Sequence, residues 1–203
     1  LKYGVFEKED VITRAAVLKN TEEGALELEK TLSACLELPF GEWEAVLFHG
    51  IHAMERQMER TPLGPGMFSI SSVRGTSSHQ HNPALILCAP ETTEDAGDCY
   101  GMLFVYSSNF VAGAEVDQMG QTRVVMGISP EHFCFHLEPG ESFETPQVLM
   151  SFSGEGFTGL SHQYHRMIGR HICRGKYKYA RRPVLINNWE ATYFKFDEEK
   201  ILR

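Results

Sequence analysis

The residues best suited to chemistry follow an apolar run near position 185. Residues 184–186 (VLI) are succeeded by residues 187–190 (NNWE) and then by Tyr193 and Phe194. An indole offers a flat apolar face, while amide, carboxylate and phenol groups can donate or accept hydrogen bonds. The pattern predicts a buried strand with a polar, aromatic tip. For Glu190, the carboxylate at this tip, we favour a structural role in pairing with basic residues.

A second cluster of reactive types is the tripeptide 79–81 (HQH). Alternate residues of a strand face the same way, so His79 and His81 could both point at a zinc ion. Zinc sites need three or four ligands, however, and no cluster of cysteines or carboxylates stands nearby in sequence. We therefore predict no metal and no cofactor. The segment follows Arg74-Gly75 and is typical of a loop with a special backbone and fixed polar contacts.

Two serines beside this histidine pair do not make a hydrolase triad. Ser77 and Ser78 lack the surrounding G-x-S-x-G pattern that exposes a nucleophilic serine on a sharp turn. No catalytic residue is nominated among the 203 residues.

The charge balance excludes several classes of partner. The chain has 19 basic and 27 acidic residues and a formal net charge of −8. Nucleic acids and anionic membranes both require a basic surface. No run of residues approaches the roughly 20 apolar positions that span a bilayer. We expect no nucleic-acid partner, no membrane association and a cytoplasmic location.

The five cysteines are widely spaced and include no C-x-x-C pair. Each has apolar neighbours, which predicts buried, reduced thiols and a reducing compartment. They are Cys35, Cys88, Cys99, Cys134 and Cys173.

Short apolar runs separated by turn residues dominate the first 150 positions. Strands that recur every eight to twelve residues, with Gly, Pro, Asn and Asp between them, are typical of an antiparallel sandwich. The predicted strands lie within 11–18, 25–38, 44–49, 67–73, 84–89, 100–106, 112–116, 122–128, 133–137 and 147–152.

The hydrophobic period changes after Gly159. Apolar residues then recur at helical spacing up to Ile172, which predicts an amphipathic helix of about 13–16 residues. Thr158 or Ser161 could cap its start, and Gly175 could end it. A basic stretch over residues 174–182 follows, which we interpret as a solvated connector, with a nucleic-acid patch as the less favoured alternative. Asp197 marks the start of a further helix.

Three stretches together resemble the bacterial retaining alpha-galactosidases, the melibiase and raffinose-hydrolase family of glycoside hydrolases. They are residues 72–83 (SVRGTSSHQHNP), 105–110 (VYSSNF) and 182–194 (RPVLINNWEATYF). The resemblance runs nearly end to end, and the last stretch is the most specific. It implies a large β-sandwich (a supersandwich) followed by a linker helix and a catalytic (β/α)8 barrel.

On this resemblance the chain is mainly β and is a fragment of a larger enzyme. We expect a sandwich domain over 1–156, incomplete at its start, a linker helix and basic connector over 157–181, and the first barrel strand within 182–203. The implied activity is removal of terminal α-linked galactose from oligosaccharides such as melibiose or raffinose, with retention. Both catalytic aspartates of the family lie on later barrel strands, so we expect the fragment alone to be inactive.

The resemblance also implies site residues. Trp189 lines the innermost sugar subsite, with Asn188 and Tyr193 as weaker neighbours. Arg74 and His81 are candidates for a contact with the barrel or with a neighbouring subunit, because sandwich domains approach active sites in tetrameric members. The implied partners are a galactosyl oligosaccharide, the chain's own barrel and further copies of the protein.

A different class of function stays open. The sandwich could be a non-catalytic carbohydrate-binding or subunit-assembly module. Aromatic side chains gathered on one exposed face would favour that alternative.

Overall fold

The computed structural model describes residues 1–202, which form two compact units that divide after Ile168. The first unit, Leu1–Ile168, contains all the strands found among the described residues. These strands are β1 (Lys2–Phe6), β2 (Val11–Ala15), β3 (Val17–Lys19), β4 (Leu26–Leu28), β5 (Leu32–Glu37), β6 (Glu44–Ile51), β7 (Met54–Pro62), β8 (Gly66–Ser72), β9 (Ala84–Cys88), β10 (Cys99–Phe104), β11 (Phe110–Val116), β12 (Thr122–Ile128), β13 (Phe135–Leu137), β14 (Ser142–Glu144) and β15 (Val148–Ser153).

Two large sheets make up the body of this unit. One has seven strands in the order β1-β2-β15-β10-β9-β6-β7, and the other has four in the order β5-β12-β11-β8. Neighbouring strands pair antiparallel in both sheets. Two short ribbons, β13-β4 and β14-β3, complete the set. The predicted antiparallel β class is confirmed.

The core lies between the two large sheets. Leu85, Met102 and Phe104 of the seven-stranded sheet pack in one cluster with Phe110 and Met126 of the four-stranded sheet, and all are at most 4% exposed. Residues pointing inward alternate along each strand with residues pointing outward. Interdigitation of two inner faces in this way is the packing of a β-sandwich.

Three strands were missed by the sequence pattern: β1, β7 and β14. The clearest case is β7, which lies at the edge of the seven-stranded sheet and is exposed along its first six residues. An edge strand with both faces in solvent has no need of alternating apolar residues, so its sequence carries no period of two. Hydrogen-bonded pairing with β6, which no composition rule reveals, defines it.

The predicted helix is present but begins earlier than expected. It comprises α1 (Gly156–Met167), continued by a π-helical turn at Ile168–Ile172. Neither Thr158 nor Ser161 caps it, so that prediction is wrong. Backbone carbonyls of another loop accept the first amide protons instead: Gly156 N donates to Gly97 O at 3.0 Å, Phe157 N to Thr93 O at 3.2 Å, and Thr158 N to Glu94 O at 2.8 Å. A tertiary contact thus supplies what a side-chain cap usually provides.

One face of α1 is buried on the seven-stranded sheet. Leu160, Tyr164 and Met167 are 1%, 6% and 1% exposed. The Tyr164 ring fits over Gly101 of β10, where a Cβ atom would lie 2.7 Å from the ring carbon Cε2 and from the hydroxyl oxygen. Gln163 adds a polar anchor, because its amide nitrogen donates to Asp10 Oδ2 and to Phe152 O, both at 2.9 Å.

The second unit, Gly169–Arg203, contains α2 (Trp189–Thr192) and α3 (Glu198–Leu202), and the latter confirms the helix expected after Asp197. The predicted strand over residues 184–186 needs correction. No strand forms there, and Val184, Leu185 and Ile186 are 95%, 89% and 71% exposed. A strand requires a neighbour to exchange its backbone hydrogen bonds, and no strand within residues 1–202 pairs with this segment. Among those same residues, no helix has the length and hydropathy required to cross a bilayer.

A charged cluster lies on the ribbon of β13 and β4. His136 Nδ1 is 2.5 Å from Glu27 Oε1, and its Nε2 is 2.9 Å from Glu138 Oε1. These two carboxylates, Glu27 before Glu138, raise the pKa of His136 above its usual value. The Cys134 thiol donates to Glu27 Oε2 at 2.8 Å, and this bond, followed by His136, lowers the pKa of Glu27.

We expect Gly101→Ala to destabilise the first unit. The new methyl group would enter the buried Tyr164 ring, and overpacking of this kind costs about 1–3 kcal/mol. Urea unfolding followed by circular dichroism measures the loss. Gly24→Ala is the matched control, because nothing lies within 4 Å of its Cβ position. Equal midpoints for the two variants would contradict the close approach of helix and sheet.

The His136 cluster should make stability depend on pH. A raised pKa in the folded state gives a contribution that is complete below the unfolded value of about 6.5 and disappears as pH rises through the folded value. In acid the contribution is lost again, because Glu27 becomes protonated as pH falls through its lowered pKa and no longer attracts His136. Thermal midpoints of the unaltered chain and of His136→Gln should therefore differ most near pH 5.5–6.5 and converge in alkaline buffer. The control is His132→Gln, because the His132 side chain is 83% exposed. The difference in thermal midpoint between this variant and the unaltered chain should not shrink as pH rises.

Candidate functional site

The helix α2 and the residues that flank it include the polar and aromatic residues 187–190, Tyr193 and Phe194 described first in the sequence. Asn187 Oδ1 accepts a hydrogen bond from Trp189 N at 3.0 Å, an Asx turn that starts the helix. Asn188 donates its side-chain amide to Thr192 Oγ1 at 2.8 Å, across one helical turn. Tyr193 N donates to Trp189 O at 3.0 Å and closes it. Local polar side chains therefore shape this turn.

Three aromatic rings meet around Trp189. Its indole lies 5.3 Å from the Tyr193 ring at an angle of 68°, and 4.9 Å from the Phe194 ring at 89°. Both are edge-to-face contacts, the arrangement that the ring quadrupoles favour. Trp189, Tyr193 and Phe194 remain 45%, 57% and 81% exposed. The second unit thus presents an aromatic cluster in which much of each ring is accessible.

The structure brings together the predicted substrate-binding residues Asn188, Trp189 and Tyr193, although on a helical turn and not at a strand tip. Their roles stay predictions. Glu190 lies on the same turn and is exposed. No hydrogen bond or ion pair of its carboxylate is found in the described part of the chain, so the pairing with basic residues expected for it is not seen there.

The loop over residues 73–83 is held by backbone and side-chain contacts, as its polar composition predicted. Gly75 adopts a positive φ of 80°, its N–H donates to Asn109 Oδ1 at 2.6 Å, and its carbonyl accepts from Ser108 Oγ at 3.2 Å. Ser77 N donates to Ser107 O at 3.2 Å. The stretches 72–83 and 105–110, which are distant in sequence, are therefore one structural element.

Arg74 and His81 occupy different environments on this loop. Arg74 is exposed, and its guanidinium makes no hydrogen bond or ion pair within residues 1–202. His81 is half-buried, and burial, followed by the nearby His49, lowers its pKa, against the opposing effect of Glu59. Its Nδ1 and the neighbouring Asn82 Oδ1 are buried without a hydrogen-bond partner among the described residues. The loop therefore carries an exposed cation at Arg74 and two buried, unsatisfied polar atoms at His81 and Asn82.

A shallow groove of about 400 Å³ lies next to His81 and was not foreseen from the sequence. Its walls include His49, Ile51 and Met54 from the β6–β7 hairpin, together with Gln57 and Gln80. His49 and His81 form an isolated antiparallel bridge, and His49 Nε2 lies 3.3 Å from Glu59 Oε2. In the sequence, only His49 at the end of an apolar run could have indicated this groove. The β6–β7 hairpin that forms its wall was not predicted, because β7 was not recognised as a strand.

The cysteines only partly match the expectation. Cys88 and Cys99 are buried and opposite each other on β9 and β10, and burial raises their pKa values to about 11 and about 12. Cys35, Cys134 and Cys173 are exposed, so the prediction of burial was wrong for these three. Apolar neighbours in sequence do not decide which face of a strand a residue occupies. No group of three or more potential metal ligands is found in residues 1–202.

Two family models match this chain. The model described as the glycosyl hydrolase family 36 N-terminal domain matches residues 1–138, and the model described as melibiase matches residues 142–203.

Curated relatives match over the whole chain. A bifunctional alpha-galactosidase/sucrose kinase from Mediterraneibacter gnavus is 54% identical over 202 residues, which is 100% of this chain and 22% of that protein. An alpha-galactosidase from Geobacillus stearothermophilus is 46% identical over 202 residues, 100% of this chain and 28% of that protein. The chain thus spans 22–28% of the length of these relatives.

Solved structures agree with the fold. A crystal structure of a family 36 alpha-galactosidase from Geobacillus stearothermophilus in complex with stachyose superposes with a TM-score of 0.93 at 46% identity, covering 98% of this chain and 28% of that one. The alpha-galactosidase from Lactobacillus brevis gives 0.93 at 42% identity, covering 98% and 27%. Since the N-terminal-domain model covers more than half of its residues, this chain belongs to glycosyl hydrolase family 36.

Proposed function

We propose that the whole protein is an alpha-galactosidase that removes terminal α-linked galactose from oligosaccharides of the melibiose and raffinose type, with retention. The observation that carries this is the match of all or nearly all of the chain to relatives named alpha-galactosidase, at 54%, 46% and 41% identity. Variants of the Geobacillus relative have been crystallised in complex with stachyose and with raffinose, which supports this substrate class.

The proposed division of labour assigns chemistry and sugar contact to different parts of the protein. Retention requires two carboxylates about 5 Å apart, a nucleophile and an acid/base. We assign both to aspartates beyond residue 203, on barrel strands that this chain lacks. Residues 1–156 serve as the sandwich domain, 157–181 as linker helix and connector, and 182–203 as the beginning of the barrel.

Trp189 is the residue of this chain that we place against the substrate. A galactose ring has one face made of C–H groups, which packs well on an aromatic face, and the indole of Trp189 is 45% exposed. Its edge contacts with Tyr193 and Phe194 restrict the orientation of the ring. Asn188 and the Tyr193 hydroxyl supply polar groups beside it, with Tyr193 57% exposed.

The exposure of the apolar segment before α2, residues 184–186, supports the proposal that a further domain covers it. Full burial of a Val, Leu or Ile side chain contributes about 1.5–3 kcal/mol relative to exposure, and residues 184–186 forgo that contribution here. Strands buried on both faces occur in parallel sheets covered by helices. We propose that this segment becomes the first strand when the rest of the barrel surrounds it.

The Arg74–His81 loop is the proposed contact with the barrel or with a second subunit of a homo-oligomer. Buried polar atoms are nearly always hydrogen-bonded in native proteins. His81 Nδ1 and Asn82 Oδ1 are buried without partners among residues 1–202, and a shift of this loop on contact with a neighbouring domain or subunit would let both atoms form hydrogen bonds. The exposed guanidinium of Arg74 is free to pair with a carboxylate of that neighbour.

We also propose that the protein is cytoplasmic and has neither nucleic acid nor a membrane as a partner. The five cysteines of the chain are free thiols, which suits the reducing cytoplasm. The net charge of −8 argues against nucleic acid or an anionic membrane as a partner.

Residues 1–203 alone should not hydrolyse a chromogenic α-galactoside, because the proposed catalytic carboxylates are absent. The whole protein, purified in the same way, should hydrolyse it and release galactose with its anomeric configuration retained, as measured by NMR of the first product formed. Turnover by the 203-residue chain that persists after further purification would refute the assignment of the catalytic pair.

Trp189→Ala in the whole protein should reduce kcat/KM for raffinose about ten- to hundred-fold, which corresponds to about 1.4–2.7 kcal/mol of lost transition-state binding. Trp189→Phe should recover much of the loss because it retains an aromatic face. Tyr179→Ala is the control, since Tyr179 is 84% exposed in the connector. A Trp189→Ala enzyme as active as this control would remove Trp189 from the sugar site.

A further inference from the structure

None of the roles proposed above involves a second groove on the first unit. It lies between the β5–β6 loop and the β9–β10 loop and encloses about 490 Å³. The residues that line it and matter here are three aromatic and three acidic ones: Phe40, Trp43, Tyr100, Glu42, Glu91 and Asp98.

The aromatic floor of this groove is held in place. Trp43 donates its Nε1–H to Pro39 O at 3.0 Å, and its ring meets Tyr100 edge-on at 5.5 Å and 74°. Tyr100 packs in turn on Phe152 at 4.8 Å. Phe40, by contrast, is 72% exposed on the rim. An exposed phenyl ring beside fixed aromatic side chains gives the groove an accessible apolar wall.

The walls of the groove are preformed as well. The Arg60 guanidinium donates to Thr92 O at 2.7 Å, to Ala89 O at 2.9 Å and to Pro90 O at 2.6 Å, and it also pairs with Glu44. The β9–β10 loop is therefore fixed before any ligand arrives. A preorganised site loses less conformational entropy when it binds.

The acidic groups supply unused hydrogen-bond acceptors. Glu42, Glu91 and Asp98 make no side-chain hydrogen bond or ion pair within the part of the chain that is described. Ionised carboxylates accept hydrogen bonds and cannot donate them. A ligand that fits must therefore bring several donors and one apolar face.

We propose that this groove binds a neutral pyranose unit of an oligosaccharide. A pyranose has a C–H face to pack on Phe40 and Tyr100 and a ring of hydroxyl donors for Glu42, Glu91 and Asp98. The ligand class rests on the proposed function, whereas the existence of the site rests on the geometry of the groove. Its effect is to hold a sugar chain on the sandwich without cleaving it.

The two tryptophans of the chain allow a direct test. Trp43 lies in the groove and Trp189 in α2, so a ¹⁵N-labelled 203-residue chain gives two indole N–H signals, which Trp189→Phe assigns. Titration with raffinose and with melibiose should shift the Trp43 signal saturably, with a Kd on the order of 1 mM, a binding free energy of about −4 kcal/mol. The shift should persist in Trp189→Phe.

Groove variants decide where the sugar binds. Phe40→Ala and Asp98→Asn should each raise the Kd read at Trp43 at least about fivefold, and both side chains are exposed enough for the fold to tolerate the change. Met119→Ala, 74% exposed on a different loop, should leave that Kd unaltered. Circular dichroism confirms that each variant is folded.

Three results would overturn the proposal. They are no Trp43 shift at 50 mM sugar, a sugar-induced shift whose Kd both groove variants leave unaltered, and a saturable shift with choline chloride when the sugars give none. The last would identify the groove as a site for organic cations, which aromatic and acidic side chains also bind. Failure of the proposed hydrolysis is read separately, from the activity of the whole protein, and does not alter the Trp43 measurement.

Discussion

The guanidinium of Arg60 links three parts of the sandwich through polar contacts. It projects from the edge strand β7, pairs with Glu44 on β6, and donates to three carbonyls of the β9–β10 loop. The Arg60 side chain is 26% exposed and that of Glu44 is 18%, so this pair is shielded more than a surface ion pair. Removing Arg60 would leave the Glu44 carboxylate unpaired and take this donor from three carbonyls, whereas removing Glu44 would leave only the Arg60 charge unpaired. Leaving a partly buried charge without its partner is the costly way to break such a network.

The loop that Arg60 holds also determines where the helix begins. Its carbonyls at Thr93, Glu94 and Gly97 accept the first amide protons of α1, and Phe157 in the first turn lies 5.9 Å from the Arg60 guanidinium. The same loop forms one wall of the aromatic groove. Arg60 thus orders one loop that serves two purposes. The β9–β10 loop forms a wall of the proposed ligand groove, and it also accepts the hydrogen bonds at the start of α1.

Residues whose environment repeats along the chain were predictable. Inward-facing positions of β11 and β12 alternate with outward-facing ones, and the apolar stripe of α1 recurs at helical spacing, so class and approximate order followed from periodicity. Arg60 has no such signal, since its partners Ala89, Pro90 and Thr92 are about thirty residues away. For the same reason the backbone contacts that cap α1 were missed, and Thr158 or Ser161 was predicted instead. The family resemblance implied that Asn188, Trp189 and Tyr193 would be neighbours, but neither it nor the sequence pattern indicated the helical turn that makes them so.

The error at residues 184–186 has a physical origin that bears on the proposed function. A run of Val, Leu and Ile has high β propensity, but propensity without a partner strand does not create a ladder of hydrogen bonds. The segment is therefore exposed and unpaired within the described residues. The polar turn that follows it is held locally, because Asn187 Oδ1 accepts from Trp189 N and Asn188 donates its side-chain amide to Thr192 Oγ1. The aromatic cluster around Trp189 can consequently form before a barrel encloses it. In the enzyme that we propose, the barrel would bury the apolar run and supply the two carboxylates for the reaction.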